Sequence, residues 1–204
     1  MGFASERSYL DFNASAPIRA GVEEAVCIAL TSQGNPSSIH QDGRKSRKII
    51  EDTRDTIASL ISVEPNNIVF TSCGTEANTT IIADFLALSG SSKVFCSSIE
   101  HPSILEYVPV SSRVRVDHNG VIDLNDLEIL AKQVRGSFLF CLMLANNETG
   151  TIQPINEAAK IIHDNGGVVL CDCVQGLGKM NIDLNLLKAD FFSFSGHKIG
   201  GPKG

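Results

Sequence analysis

Lys198 stands in "SFSGHKIGGPKG", residues 193 to 204, between a histidine and a run of glycines. An amine held among small residues just after an apolar segment is desolvated. It loses proton affinity and becomes a nucleophile toward carbonyl carbon. Asp172 closes a second apolar segment, "VVLCD", and a carboxylate buried there needs a partner, preferably a cation. His101 follows "VFCSSIE", Asn147 follows "CLMLAN", and Gln175 lies three residues after Asp172. An imidazole caps a helix or stacks on a flat ring, and carboxamides donate to an anionic oxygen. "TSCGTEAN", residues 71 to 78, is small and hydroxyl-rich and lies between an apolar run and a helical pattern. Gly74 and Thr75 therefore fall where backbone N–H groups and the positive end of a helix suit a phosphate. By itself that stretch reads rather as a simple helix cap, and Lys198 by itself as a solvated lysine.

The elements that must position these groups follow from periodicity. Val22, Val26, Ala29 and Leu30 recur at helical spacing ahead of Gly34, and "GNPSSIHQDG" is loop by composition. Ile49, Ile50, Ile57, Leu60 and Ile61 mark an amphipathic helix over 44–61. Ile68-Val69-Phe70 reads as a buried strand, and Ile81, Ile82, Phe85 and Leu86 mark the next helix. "KVFCSS", "RVRVD", "SFLFCLMLA", "VVLCD" and "DFFSFS" read as further strands. Between them lie a short helix with Pro102 in its first turn, one capped by Asp123, one ending at Gly166, and a short helical piece in "DLNLLKA". Strands alternating with helices, several of them continuously apolar, predict an α/β fold: a mostly parallel sheet with helices on both faces. Ligands of such sheets bind at the carboxyl ends of strands. Five expected strand ends carry the polar and ionisable groups above, more than solubility accounts for. Residues 1–40 differ in pattern and read as an N-terminal arm, and residues 41–204 as the α/β domain.

Composition excludes several classes. The 204 residues carry a formal net charge of −6 and no long basic run, so nothing argues for nucleic acid. The most apolar run, "FLFCLMLA", has the length of a strand, so no membrane span is expected. "MGFASERSYL" lacks the apolar stretch of a signal peptide, and Glu6 stands where a myristoylation motif at Gly2 wants Ser or Thr. The six cysteines are scattered, with one CxC and no second pair at zinc spacing. They read as buried thiols in a reducing cytoplasm, and no metal site is expected.

Together, the lysine, the carboxylate, the imidazole, the amides and the phosphate cup describe a site for pyridoxal phosphate. The stretches "YLDFNASAP", "GNPSSIH", "IVFTSCGTEAN", "SIEHPSIL", "NNETGTIQPI", "CDCVQGLGKMNIDL" and "DFFSFSGHKIGGPKG" resemble the NifS-like cysteine desulfurases of the class V aminotransferase family, fold-type I pyridoxal-phosphate enzymes. The resemblance implies Lys198 as the Schiff-base lysine and proton carrier, Asp172 facing the pyridine nitrogen, and His101 stacked on the ring and active in proton transfer. It implies Gln175 on the phenolic oxygen, and Gly74, Thr75, Ser195 and His197 on the phosphate. Asn147 would lie against the cofactor oxygen and the substrate carboxylate. It further implies conversion of L-cysteine to L-alanine with the sulfur held as a persulfide. That sulfur would pass to an acceptor protein for iron–sulfur cluster or thiolated-tRNA synthesis, in a cytoplasmic homodimer. Selenocysteine lyases and other class V aminotransferases share most of these motifs. Family members are longer, and none of the six cysteines stands at the family's persulfide position, Cys73 and Cys173 included. A chain that lacks the C-terminal domain and its cysteine is therefore the expectation, with a non-catalytic or split cofactor-binding chain as the alternative.

Overall fold

The computed structural model describes residues 8–88 and 93–203. The readings of Met1, Gly2 and Glu6 lie outside them.

The element that orders the rest is β3 (Phe138–Met143), "FLFCLM", in which every residue is buried. A strand apolar on both sides is stable only inside a sheet covered on both faces. It pairs in parallel with β1 (Lys93–Ser97) on one side and β4 (Val168–Asp172) on the other. The short β2 (Arg113–Val114) and β5 (Phe191–Ser193) pair in parallel outside these, giving the order β2-β1-β3-β4-β5.

Alternate residues of each strand face alternate layers. Phe95, Phe138, Phe140, Leu142, Val169 and Cys171 pack on one side. There they meet α5 (Leu124–Gln133) and α6 (Ile155–Asp164) through Leu127, Ala131, Ile155, Ala158 and Ile162. Val94, Cys96, Leu139, Cys141 and Leu170 face the other side. That layer is closed by α3 (Gly74–Leu88) through Ile82 and by α4 (Pro102–Leu105) through Ile104, with Val108 beyond. Phe95 and Phe138 meet edge to face, ring centres 5.9 Å apart. Gly167 enters β4 where a Cβ would stand 2.6 Å from the Phe138 ring and 2.7 Å from Ile162, so only glycine lets α6 turn into the strand there. Asp123 caps α5, its carboxylate accepting from the N–H groups of Asn125 and Asp126.

The parallel sheet and its two helical layers agree with the sequence reading. Three local readings do not. Ile68-Val69-Phe70 is extended but forms no strand. Val69 and Phe70 are exposed, Arg54 lies over the Phe70 ring, and its guanidinium donates to the Ile68 carbonyl. An apolar triplet without a pairing partner carries no strand signal of its own. "DLNLLKA" forms turns rather than a helix, and "RVRVD" keeps only two residues in the sheet. The remaining helices, α1 (Val22–Thr31) and α2 (Gln41–Leu60), precede the sheet, and α1 buries no residue.

Leu142→Ala removes a fully buried side chain of β3 and should lower the unfolding free energy by about 2–5 kcal/mol in a urea titration. Leu30→Ala, on the exposed face of α1, should change it by less than about 0.5 kcal/mol.

Candidate active site at the carboxyl edge of the sheet

From β1 the chain steps outward to β2 and returns past it to β3, so the strand order reverses between β1 and β3. Crevices form at such reversals, at the carboxyl ends of the strands. His101 follows β1, Asn147 follows β3, Asp172 ends β4 with Gln175 just beyond, and Ser195, His197 and Lys198 follow β5. Gly74 and Thr75 open α3. Because 68–70 is not a strand, four strand ends and one helix start supply the groups.

Asp172 is buried, at 5% exposure. Its Oδ1 accepts from Val174 N–H at 2.9 Å and its Oδ2 from Asn78 Nδ2 at 2.9 Å. Burial pushes its carboxyl above the ordinary range. The Val174 and Asn78 hydrogen bonds and electrostatic attraction from the side of His101 and Lys198 work against that shift. Asn78, itself buried, also donates to Ser103 Oγ at 3.1 Å. Ser103 meets His101 twice: its N–H donates to Nδ1 at 3.1 Å and its hydroxyl lies 2.9 Å from the same nitrogen. His101 thereby caps α4.

Residues 11–19 cross this edge. Ala16 N–H donates to the His197 carbonyl and Arg19 N–H to Gly200. Gly200 has φ +88°, and a Cβ there would stand 2.5 Å from the Arg19 side chain, so glycine is what admits the crossing segment. Asn13 is the hub. Its Nδ2 donates to the Asn147 carbonyl at 3.0 Å, its carbonyl accepts from Gln175 at 2.9 Å, and its Oδ1 accepts from Lys179 at 2.7 Å. Lys198 Nζ donates to the carbonyls of Asn13 at 2.5 Å and Ala14 at 3.0 Å. Desolvation pulls the Lys198 amine below its ordinary range, while Asp11 and Asp172 push it back up. Lys179 is lowered by desolvation and by the Lys198 charge, and His197 by burial and by Lys198 and Lys203. Gly74 packs closely on the residues after β4 and β5: a Cβ there would lie 3.2 Å from Val174 and 3.5 Å from Ser195. Thr75 sits exposed in the same first turn.

A desolvated amine, a buried carboxylate, a capped imidazole and an open helix start thus share one edge. The residues fit pyridoxal phosphate on this geometry. Asp172 has neutral donors and, among the described residues, no closely paired cation, which a protonated ring nitrogen would supply. Asn78 Oδ1 and Ser193 Oγ, both beside Asp172, are buried without a protein partner among the described residues. Among those residues no group of His, Cys, Asp and Glu is placed to hold a metal ion. No described helix is long and apolar enough to cross a membrane.

Sequence reasoning missed Asn13, Asn78, Ser103 and Lys179 as parts of the site. Asn78 carried a usable signal, since it lies one helical turn after Gly74 and on the same face. Asn13 carried none, because its contacts are made across 134 to 185 residues of sequence. Glu100 stands at an expected strand end, but its sequence position alone gives it no role. It is buried between β1 and β3, and its Oε1 accepts from Ser97 Oγ at 2.5 Å and Met143 N–H at 3.0 Å.

The family model described as "Aminotransferase class-V" matches residues 8–204. A cysteine desulfurase of Nostoc sp. is 36% identical over 96% of this chain and 51% of its own length. A solved NifS-like protein from Rickettsia africae superposes with a TM-score of 0.87 at 36% identity, covering 96% of this chain and 56% of that one. A solved structure described as "SspA in complex with cysteine" superposes with a TM-score of 0.86 at 30% identity, covering 97% and 59%. The chain spans about half the length of the curated relatives it matches.

Burial pushes Glu100 from an ordinary 4.5 up to about 8. Over the window between those values the unfolded chain releases this proton and the folded chain keeps it. This carboxyl's contribution to stability is therefore full at acid pH and lost as pH rises toward about 8. Glu100→Gln should remove that loss. The stability difference between variant and wild type, by chemical denaturation, should grow in the variant's favour from about pH 5 to about pH 8, by a few kcal/mol at most. Parallel pH profiles would mean that the folded protein holds Glu100 ionised.

Proposed function

The chain belongs to the class V aminotransferase family, and from that premise we propose that it works as a pyridoxal-phosphate-dependent cysteine desulfurase. The observation that carries this reading is the meeting of Lys198, Asp172 and His101 at one sheet edge, each held by its own hydrogen bonds. The names of the relatives, and the cysteine bound in one similar solved structure, support L-cysteine as the substrate.

In this reading Lys198 holds the cofactor's aldehyde carbon, Asp172 faces its ring nitrogen and His101 lies against its ring. Gln175 and Asn147 serve its phenolic oxygen, and Gly74, Thr75, Ser195 and His197 hold its phosphate. When bound, the cofactor supplies an electron-withdrawing ring to the α-carbon of an amino acid. The chain's own residues do the rest. Burial pushes the Asp172 carboxyl upward, the Val174 and Asn78 bonds oppose that shift, and a protonated ring nitrogen facing it would favour its ionised form. Lys198, with its lowered amine, accepts and returns a proton at Nζ. Asn147 orients the substrate carboxylate, and the segment around Asn13 limits water at the amine.

We place the sulfur acceptor outside the six thiols of this sequence because none stands at the position that the resemblance implies, although Cys27 is exposed and Cys73, partly exposed beside Gly74, has its thiol lowered by a backbone hydrogen bond from Glu76 and by Ser72. Cys96, Cys141, Cys171 and Cys173 are buried. Burial raises Cys96 and Cys141 well above the reactive range, and the contact with Cys173, together with burial, does the same for Cys171. The same reading takes 1–40 as an arm and 41–204 as the cofactor domain. It also carries a cytoplasmic homodimer that passes sulfur to an acceptor protein for iron–sulfur cluster or thiolated-tRNA synthesis. The exposed Leu10, Leu30 and Ile39 support burial of the arm against further protein.

Titrating the protein with pyridoxal phosphate should produce a new near-ultraviolet or visible absorption band that Lys198→Ala abolishes. L-cysteine should perturb that band at concentrations where glutamate does not. A folded protein without the band would sink the site, and a response to glutamate in place of cysteine would make it an ordinary aminotransferase. Sulfide release from L-cysteine by this chain alone should not exceed that of free pyridoxal phosphate. Faster release would return the nucleophile to one of the six cysteines.

A further inference from the structure

Asn78, Ser103, Asp172 and His101 form one chain of hydrogen bonds whose direction is fixed at each link. Asp172 offers only acceptor oxygens when ionised, so the Asn78 group 2.9 Å from Oδ2 is its NH2. The second hydrogen of that NH2 goes to Ser103 Oγ at 3.1 Å. Ser103 Oγ, already accepting, has its own hydrogen left for His101 Nδ1 at 2.9 Å. The backbone N–H of Ser103 can only donate, and it points to the same nitrogen at 3.1 Å. Nδ1 is therefore an acceptor, and the neutral ring carries its proton on Nε2. Asn78 and Ser103 are both buried, at 1% and 6% exposure, so water does not compete for these bonds.

We infer that Asn78 is a positioning residue that locks Asp172 and His101 into one frame and, through Ser103, holds His101 as the Nε2–H tautomer. The inference deepens the proposed cofactor reading and rests on it for its purpose, since the two groups it joins are those expected on two sides of the cofactor ring. The frame itself is a property of the protein without cofactor. One amide on α3 thus ties the end of β4 to the start of α4, so a displacement of either group is felt by the other. The frame also defines what His101 can do. With Nδ1 occupied, any proton His101 gives or holds toward the site is the one on Nε2.

The test uses the chain labelled with 15N-histidine and free of cofactor, with His101 identified among its five histidines by a His101→Gln variant. At a pH where the ring is neutral, His101 should show a protonated Nε2 and a hydrogen-bonded, unprotonated Nδ1. Asn78→Ala and Ser103→Ala should each move Nδ1 toward the resonance of a less hydrogen-bonded nitrogen. The double variant should go no further than Ser103→Ala alone, because Asn78 reaches the ring only through that hydroxyl. A proton on Nδ1, an Nδ1 unmoved by Asn78→Ala, or additive shifts would overturn the inference. If Asn78→Ala does not fold, the tautomer in wild type and its Nδ1 shift in Ser103→Ala still decide. With pyridoxal phosphate added, Asn78→Ala should weaken binding by about tenfold, the effect of losing one hydrogen bond to a charged group. Failure of wild type to bind the cofactor would count against the proposed function and leave the frame result standing.

Discussion

A carboxylate at the end of a buried strand is the constraint around which this edge is built. β4 is buried on both faces, and its last side chain is an acid. Leaving that acid charged without donors costs several kcal/mol. The fold answers with two of them. One is the backbone N–H of Val174, available because the chain turns at once after β4. The other is Asn78, available only because α3 comes down onto this end of the sheet. Gly74 lets it do so, since its first turn packs on Val174 and Ser195 with little room for a Cβ. The docking of α3, the turn after β4 and the helix start next to β5 are thus consequences of one requirement.

Lys198 is treated differently. Among the described residues no carboxylate pairs with it directly. Two backbone carbonyls of the crossing segment take its hydrogens, while Asp11 and Asp172 act from farther off. Carbonyls satisfy an ammonium without fixing its charge as a salt bridge would. Desolvation then outweighs the attraction, and the amine is left less basic than a free lysine and readier to lose a proton. Lys179 places a second amine on the same Asn13, and desolvation and the Lys198 charge lower it in turn. The segment around Asn13 therefore tunes the amine as well as covering it.

What could be read from the sequence follows from the range of each signal. β3 and β4 were legible because a run apolar on both faces has one environment that suits it. Asp123 and Pro102 were legible because capping is local. Lys198, Asp172 and His101 were legible as strand-end residues, before any contact between them was known. Ile68-Val69-Phe70 misled because a strand requires a partner, and three residues do not say whether one is present. The role of Asn13 was illegible for a related reason: its contacts to Asn147, Gln175 and Lys198 are a property of the closed chain. Asn78 fell between these cases. Its place on the Gly74 face of the helix was readable, and its partners were not.

Two acids lie behind this edge, and burial pushes the carboxyl of each upward. Glu100, between β1 and β3, receives bonds from Ser97 and Met143 on one oxygen, and its other oxygen has no protein partner among the described residues. Burial wins there, and with a value pushed up to about 8 the carboxyl is neutral at pH 7. Asp172 is nearly as buried, but both of its oxygens are bonded, and its surroundings at His101 and Lys198 work against the upward shift. Each charge raises the other group's affinity for a proton. Were Glu100 ionised as well, it would undo part of what Asn78 and Val174 do for Asp172. A neutral Glu100 therefore leaves the Val174 and Asn78 bonds of Asp172 unopposed from the reversal of the sheet.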